Sequence, residues 1–208
     1  MNGQNKLIYV GDPMCSWCYG FAPQLDKLVQ QYKGEMEIEL VTGGLRPYNQ
    51  QSISELKDFL TNHWQEVNKR TQQAFSYDIL DRADLKYDTE PACRAVVVVR
   101  HMDSKKEFDF FKIIQKAFYF ENKNLGAVES YYPALDKLGL DKEVFALQFN
   151  SEEYKKLVQK DFERAGNLGV RGFPSVLLET NGKVIVLSRG YTTAEKLEEL
   201  IRAALEQK

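Results

Sequence analysis

Thr180-Asn181-Gly182 lies between two apolar runs, Ser175-Val176-Leu177-Leu178-Glu179 and Lys183-Val184-Ile185-Val186-Leu187. Asn-Gly accepts the positive φ angles of a two-residue turn, so this arrangement predicts an antiparallel pair of strands near the C-terminal end. The other strand signals stand at the opposite end of the chain. Leu7-Ile8-Tyr9-Val10 is a short apolar run broken by Gly11-Asp12-Pro13, and Met36-Glu37-Ile38-Glu39-Leu40-Val41 alternates before Thr42-Gly43-Gly44. Between those two, Phe21, Leu25, Leu28, Val29 and Tyr32 recur at helical spacing and Gly34 is a stop signal. A last helix is predicted after Thr192-Thr193, with Leu197, Leu200, Ile201 and Leu205 on one face.

Everything from about residue 50 to 166 reads helical. Ser54 is a cap for a helix that turns Leu56, Phe59, Leu60 and Trp64 inward, and further helices are predicted over 92–102, 107–120, 130–138, 142–149 and 152–165. Val96 to Val99 is β-branched, but its helical neighbours favour a buried helix. With no repeat and no low-complexity linker, the expectation is an α/β domain made from residues 1–48 and 167–208, which pair in space around a helical insertion at 49–166. A chain of 208 residues can bury such a core without covalent help.

Charge narrows the partners. Lys plus Arg number 28 against 30 Asp plus Glu, and neither sign dominates a long block, so nucleic acid and anionic membranes are not expected as main partners. No stretch of about 18 apolar residues occurs, and MNGQNKLIYVGDP lacks a secretory core and reads as a native start. The chain is therefore expected in the cytoplasm. There, a close cysteine pair is more often catalytic or metal-binding than structural.

That pair is Cys15 and Cys18, in Pro13-Met14-Cys15-Ser16-Trp17-Cys18-Tyr19-Gly20-Phe21. Cys15 stands where the first strand gives way to the first helix. Unpaired N–H groups and the helix dipole favour an anion there, which makes Cys15 the attacking thiolate and Cys18, one turn further in, the resolving one. Two intervening residues let the sulfurs meet within that turn. Trp17 can lay an apolar face beside the sulfurs, and Asp12 is read as a helix cap or a proton relay. Far downstream, Gly169-Val170-Arg171-Gly172-Phe173-Pro174-Ser175 reads as a tight loop able to hold a cis bond just before the hairpin.

The order strand, CxxC at a helix start, strand, helical segment, GFPS, hairpin, helix resembles the DsbA-like branch of the thioredoxin superfamily, and DPMCSWCYGF is similar to its cytosolic FrnE-type members. The resemblance spans Leu7 to about Leu205. It implies a thioredoxin-like fold with a large helical insertion and a thiol-disulfide oxidoreductase whose redox centre is the dithiol itself, with no dissociable cofactor. It also implies that Pro174 is cis and faces the cysteines, that Phe173 offers backbone groups to an extended substrate, and that glutathione or a thioredoxin-type partner recycles the pair. Ser16-Trp17 departs from the histidine that strongly oxidising members carry between their cysteines, which implies a less oxidising couple.

Other readings stand beside this one. A zinc site would have to recruit Cys93, His63 and His101 around a single CxxC, and no metal is expected. Cys93 reads as a small buried hydrophobe, or as a third redox or glutathionylation site if Arg94 and a helix start favour its thiolate. His63 and His101 read as surface or packing residues. The aromatic set Phe108, Phe110, Phe111, Phe118, Tyr119 and Phe120 reads as core, or in part as a groove over the cysteines, and Glu152-Glu153-Tyr154-Lys155-Lys156 as a solvated face. The alternative activities are a glutathione-dependent transferase or isomerase, resembling the kappa-class transferases and the hydroxychromene carboxylate isomerases, which typically have serine at the position of Cys15, and a holdase-like binding protein with a redox switch.

Overall fold

The computed structural model describes residues 5–206, so Met1-Asn2-Gly3, read above as a native start, lies outside the described residues. Strand β1 (Lys6–Gly11), helix α1 (Ser16–Gln31) and strand β2 (Glu37–Thr42) open the fold. Six helices follow: α2 (Lys57–Thr71), α3 (Glu90–Met102), α4 (Glu107–Tyr119), α5 (Tyr132–Leu138), α6 (Lys142–Phe149) and α7 (Glu152–Asn167). The hairpin β3 (Ser175–Thr180) and β4 (Lys183–Arg189) and helix α8 (Ala194–Glu206) close it.

The sheet joins the two ends of the chain in the order β2-β1-β3-β4. β1 runs parallel to β2 and antiparallel to β3, with Tyr9 opposite Leu40 on one side and Val176 on the other. Asn181 and Gly182 take φ of 51° and 74° in the hairpin turn, as the Asn-Gly signal requires. β1 is buried on both faces, which explains its unbroken apolar run. Leu7 and Tyr9 face the core shared with α1 and α8, while Ile8 and Val10 pack with Val41 and Leu177 against Ala165 of α7. Helix α7 thus belongs by sequence to the middle segment and by packing to the sheet.

The middle helices share one apolar core with the sheet's first face, reaching from Leu7 and Leu197 to Trp64 and Phe110. Val96 to Val99 sit buried in α3, the helical alternative for that β-branched run. Phe59, expected inside, is instead exposed and stacks flat on His63. The buried face of α2 is Leu60, Trp64 and Val67, and Phe59 falls one residue off that stripe. Of the aromatic set, Phe110, Phe111, Phe118 and Tyr119 are core and Phe120 is exposed. Tyr154 turns inward from its charged run and meets His101 edge-on, and His101 Nδ1 pairs with the Val97 carbonyl at 2.8 Å, a packing role.

One polar knot crosses these layers. Arg100 of α3 donates to Glu107 (2.6 Å), to both oxygens of Asp161 on α7 (2.9 Å each) and to the Leu40 carbonyl of β2 (2.8 Å). Asp161 also accepts from the amide and hydroxyl of Thr42, each at 2.9 Å. The knot anchors the end of β2 just before the loop that packs against the cysteine region.

Candidate active site

β1 ends at Gly11 and α1 begins at Ser16, so Asp12 to Cys15 form a tight connection beneath the C-terminal edge of the sheet. Cys15 is the N-cap residue of α1, with extended φ and ψ of −92° and 117°; its amide donates to the Asp12 carbonyl at 3.1 Å and its carbonyl accepts the first helical bond from Tyr19 at 3.0 Å. Its sulfur therefore lies where the helix presents unpaired N–H groups and the positive end of its dipole. Cys15 is 5% exposed and Cys18, one turn in, is wholly buried. Ser16 is buried at the first helical position.

The late loop comes to meet this end. The Phe173–Pro174 peptide is cis, and Cys15 Sγ lies 3.7 Å from the Phe173 carbonyl oxygen. A Cβ on Gly43 would fall 2.0 Å from the Phe173 ring, so that ring packs directly on the Gly43 backbone past β2. The absence of a side chain at Gly43 lets Phe173 reach the cysteines. Trp17 is half-buried, edge-on to His63 at 6.0 Å and tilted against Tyr191 at 6.1 Å. Trp17, Phe173, Gly190, Tyr191, Glu66 and Arg70 line a cleft of about 320 Å³, with the Arg70 guanidinium 5.6 Å above the Tyr191 ring.

Asp12 corrects the cap reading. Its carboxylate accepts from the amides of Met14 (2.8 Å) and Leu45 (2.6 Å) and from the Cys93 thiol (3.3 Å). It organises the connection that carries Cys15 and does not cap α1, because the N-cap position is three residues further on. The Tyr87 hydroxyl holds the same connection through the Met14 carbonyl at 2.7 Å. Burial pushes the Asp12 carboxyl above the ordinary carboxylate range against the pull of its donors. Cys93 is buried; burial and the facing Asp12 push its thiol up, while Arg94 is committed to Glu90 at 2.9 Å.

Because the folded chain holds the Asp12 proton more tightly than the unfolded one, this contribution to stability is fully present below the unfolded value of about 3.9 and is lost as pH rises through the folded value. Asp12→Asn removes the ionisation. Urea unfolding from about pH 4 to about pH 8 is expected to show the wild type losing stability relative to Asp12→Asn as pH rises; parallel pH profiles would contradict the shift.

Burial, then the hydrogen bond and charge of Cys15, push the Cys18 thiol well up, so the pair is asymmetric: one sulfur at a helix end near the surface, one protonated thiol beneath it. That asymmetry suits nucleophilic exchange with a disulfide. Among the described residues no group of three or more His, Cys, Asp or Glu is placed to hold a metal ion, and no helix is long and apolar enough to cross a membrane.

Residues 6–202 match the DSBA-like thioredoxin domain. The chain belongs to that family. A protein of known structure, a candidate protein disulfide isomerase from Nitrosomonas europaea, is 32% identical and superposes with a TM-score of 0.88 over 98% of both chains. The cytosolic disulfide reductase DsbM from Pseudomonas aeruginosa shares the fold at 24% identity, with a TM-score of 0.80 over 98% of this chain and all of that one. DsbA from the same organism is more distant, at 17% identity and a TM-score of 0.56, over all of this chain and 88% of that one. No curated protein matches the chain in sequence.

The candidate site contains residues that sequence patterns did not single out, Tyr9, Gly43, Arg70, Tyr87 and Tyr191, and His63, read from the sequence as a surface or packing residue, packs edge-on to Trp17. Gly43-Gly44 was legible only as the end of a strand. Only the topology sets the Tyr87 hydroxyl on the Met14 carbonyl and the Tyr191 ring against Trp17.

Proposed function

We propose that the chain is a thiol-disulfide oxidoreductase that works as a reductase in the cytoplasm. The Cys15 thiolate attacks a substrate disulfide and releases one substrate thiol. Cys18 then attacks Cys15 Sγ, releasing the second thiol and leaving the Cys15–Cys18 disulfide. The substrate disulfide gains the two electrons that the dithiol loses, and two glutathione molecules or a thioredoxin-type partner restore the dithiol. Phe173, Pro174 and Trp17 hold the substrate chain, Asp12 and Ser16 modulate the pair, and no dissociable cofactor takes part. The observation that carries this reading is the placement of Cys15 at the start of α1, against the Phe173 carbonyl, with Cys18 buried one turn below.

Glutathione as the co-substrate is supported by the cleft beside Trp17, where Arg70 and Glu66 offer opposite charges to a small zwitterionic thiol. DsbM, which shares the fold, has been crystallised with GSH. The reductive direction rests on Ser16-Trp17, which adds no cation between the cysteines to stabilise the reduced pair. Equilibration with glutathione buffers is expected to give a potential near thioredoxin's, about −270 mV. A value near about −120 mV, as in the strongly oxidising DsbA type, would overturn the direction.

A further inference from the structure

Helix α2 carries two stripes. Leu60, Trp64 and Val67 form the one that joins the core. One residue back, Phe59, His63, Glu66 and Arg70 follow at i, i+4, i+7 and i+11, which sets them along a single face. Glu66 and Arg70 line the cleft beside Trp17. Phe59 and His63 continue that face away from the cleft, with their rings stacked at 5.7 Å and 12°. Phe59 is 57% exposed, so one side of its ring rests on His63 and much of the remainder is open to solvent. A single exposed apolar side chain is ordinary on a protein surface. The alignment of this one is not. His63 meets Trp17 edge-on at 6.0 Å and Trp17 meets Tyr191 at 6.1 Å, so Phe59, His63, Trp17 and Tyr191 form an unbroken file of rings from α2, α1 and the loop after β4. The Arg70 guanidinium closes the Tyr191 end. Trp17, two residues from Cys15, stands inside the file, which therefore begins at the cysteine site and runs outward along α2.

We propose that Phe59 and His63 form a substrate-binding shelf that takes a large apolar side chain of an extended protein segment whose disulfide lies at Cys15. The shelf is continuous with the cleft that the exchange uses, and its outermost surface is a flat hydrocarbon ring held in place from behind. A ring fixed in that way loses little freedom when a second apolar group settles on it. Glutathione has no apolar side chain to place there, and its charges match Glu66 and Arg70 at the other end of the stripe. A folded protein keeps most of its large apolar side chains inside, so the segments able to use the shelf are extended or unfolded ones. The ring steps of 6.0 and 5.7 Å carry the shelf no more than about 12 Å beyond Trp17. An extended chain advances about 3.3 Å per residue, which places the apolar side chain about three residues from the substrate cysteine.

This inference rests on the oxidoreductase reading, and one experiment separates the two. Pre-reduced protein is mixed with short peptides that carry one cysteine as its glutathione mixed disulfide, with phenylalanine or serine about three residues to either side, and the free peptide thiol is followed by chromatography. At least one phenylalanine peptide is expected to be reduced about tenfold faster than its serine counterpart at low concentration, the size of one partly buried apolar side chain, with similar limiting rates at saturation. Phe59→Ser is expected to narrow that ratio to within about twofold and to melt close to wild type, since Phe59 stands outside the apolar core. Phe59→Tyr keeps the ring and is expected to keep the ratio. Equal rates for the phenylalanine and serine peptides with wild type, or a ratio that survives Phe59→Ser, would overturn the shelf and leave the exchange standing. A wild-type protein that reduces neither peptide would overturn the oxidoreductase reading, and the shelf with it.

Discussion

Cys15→Ser is expected to lower disulfide turnover by on the order of a thousandfold or more, measured with insulin or a glutathione mixed-disulfide peptide. A serine hydroxyl is not ionised near neutral pH and cannot form the mixed disulfide, so no other group on the chain can substitute for it. Cys93, the third thiol, is buried and bonded to Asp12. The fold should be intact in the variant, because Cys15 caps no backbone group with its side chain. Cys18→Ser should also stop turnover, by a different route: the first attack proceeds and the intermediate has no resolving thiol. Full activity in Cys15→Ser would sink the disulfide mechanism and favour the transferase or isomerase alternative, whose members carry serine there. Client binding that survives both substitutions would favour the holdase.

The largest stability effect is expected at Arg100. This guanidinium faces two carboxylates, Glu107 and Asp161, and the Leu40 carbonyl. Arg100→Met fills much of the same space but leaves two buried acids without a cation, a loss of about 3 kcal/mol or more in urea unfolding. Arg100→Lys should recover only part of it, because one ammonium cannot serve three partners on α4, α7 and β2 together. A loss below about 1 kcal/mol in Arg100→Met would mean that the knot does not tie the layers.

The parts of the fold that local chemistry dictates were legible in the sequence. Asn181-Gly182 specifies its hairpin within two residues, and the run Leu7 to Val10 followed by Gly11-Asp12-Pro13 marks a buried strand with an abrupt end. Since the other strand signals lie near the N-terminus, the joining of the two ends followed. What was not legible depends on distance along the chain. Asp12 looks like a cap because short acids near helix starts commonly are, yet its carboxylate binds Leu45 and Cys93, residues that the sheet and α3 bring to it. Phe59 and Leu60 are neighbours of similar hydropathy, and the orientation of α2 alone decides which one is buried. Gly43 and Gly11 carry no chemistry, and their importance lies in the rings of Phe173 and Tyr9 that occupy the space above them.

The central claim is that Cys15 attacks and Cys18 resolves. Incubating Cys18→Ser with a disulfide-containing peptide, followed by peptide mapping under non-reducing conditions, tests it most directly. The expected result is a stable mixed disulfide on Cys15, released by added thiol; an adduct on Cys93, or no adduct at all, would contradict it.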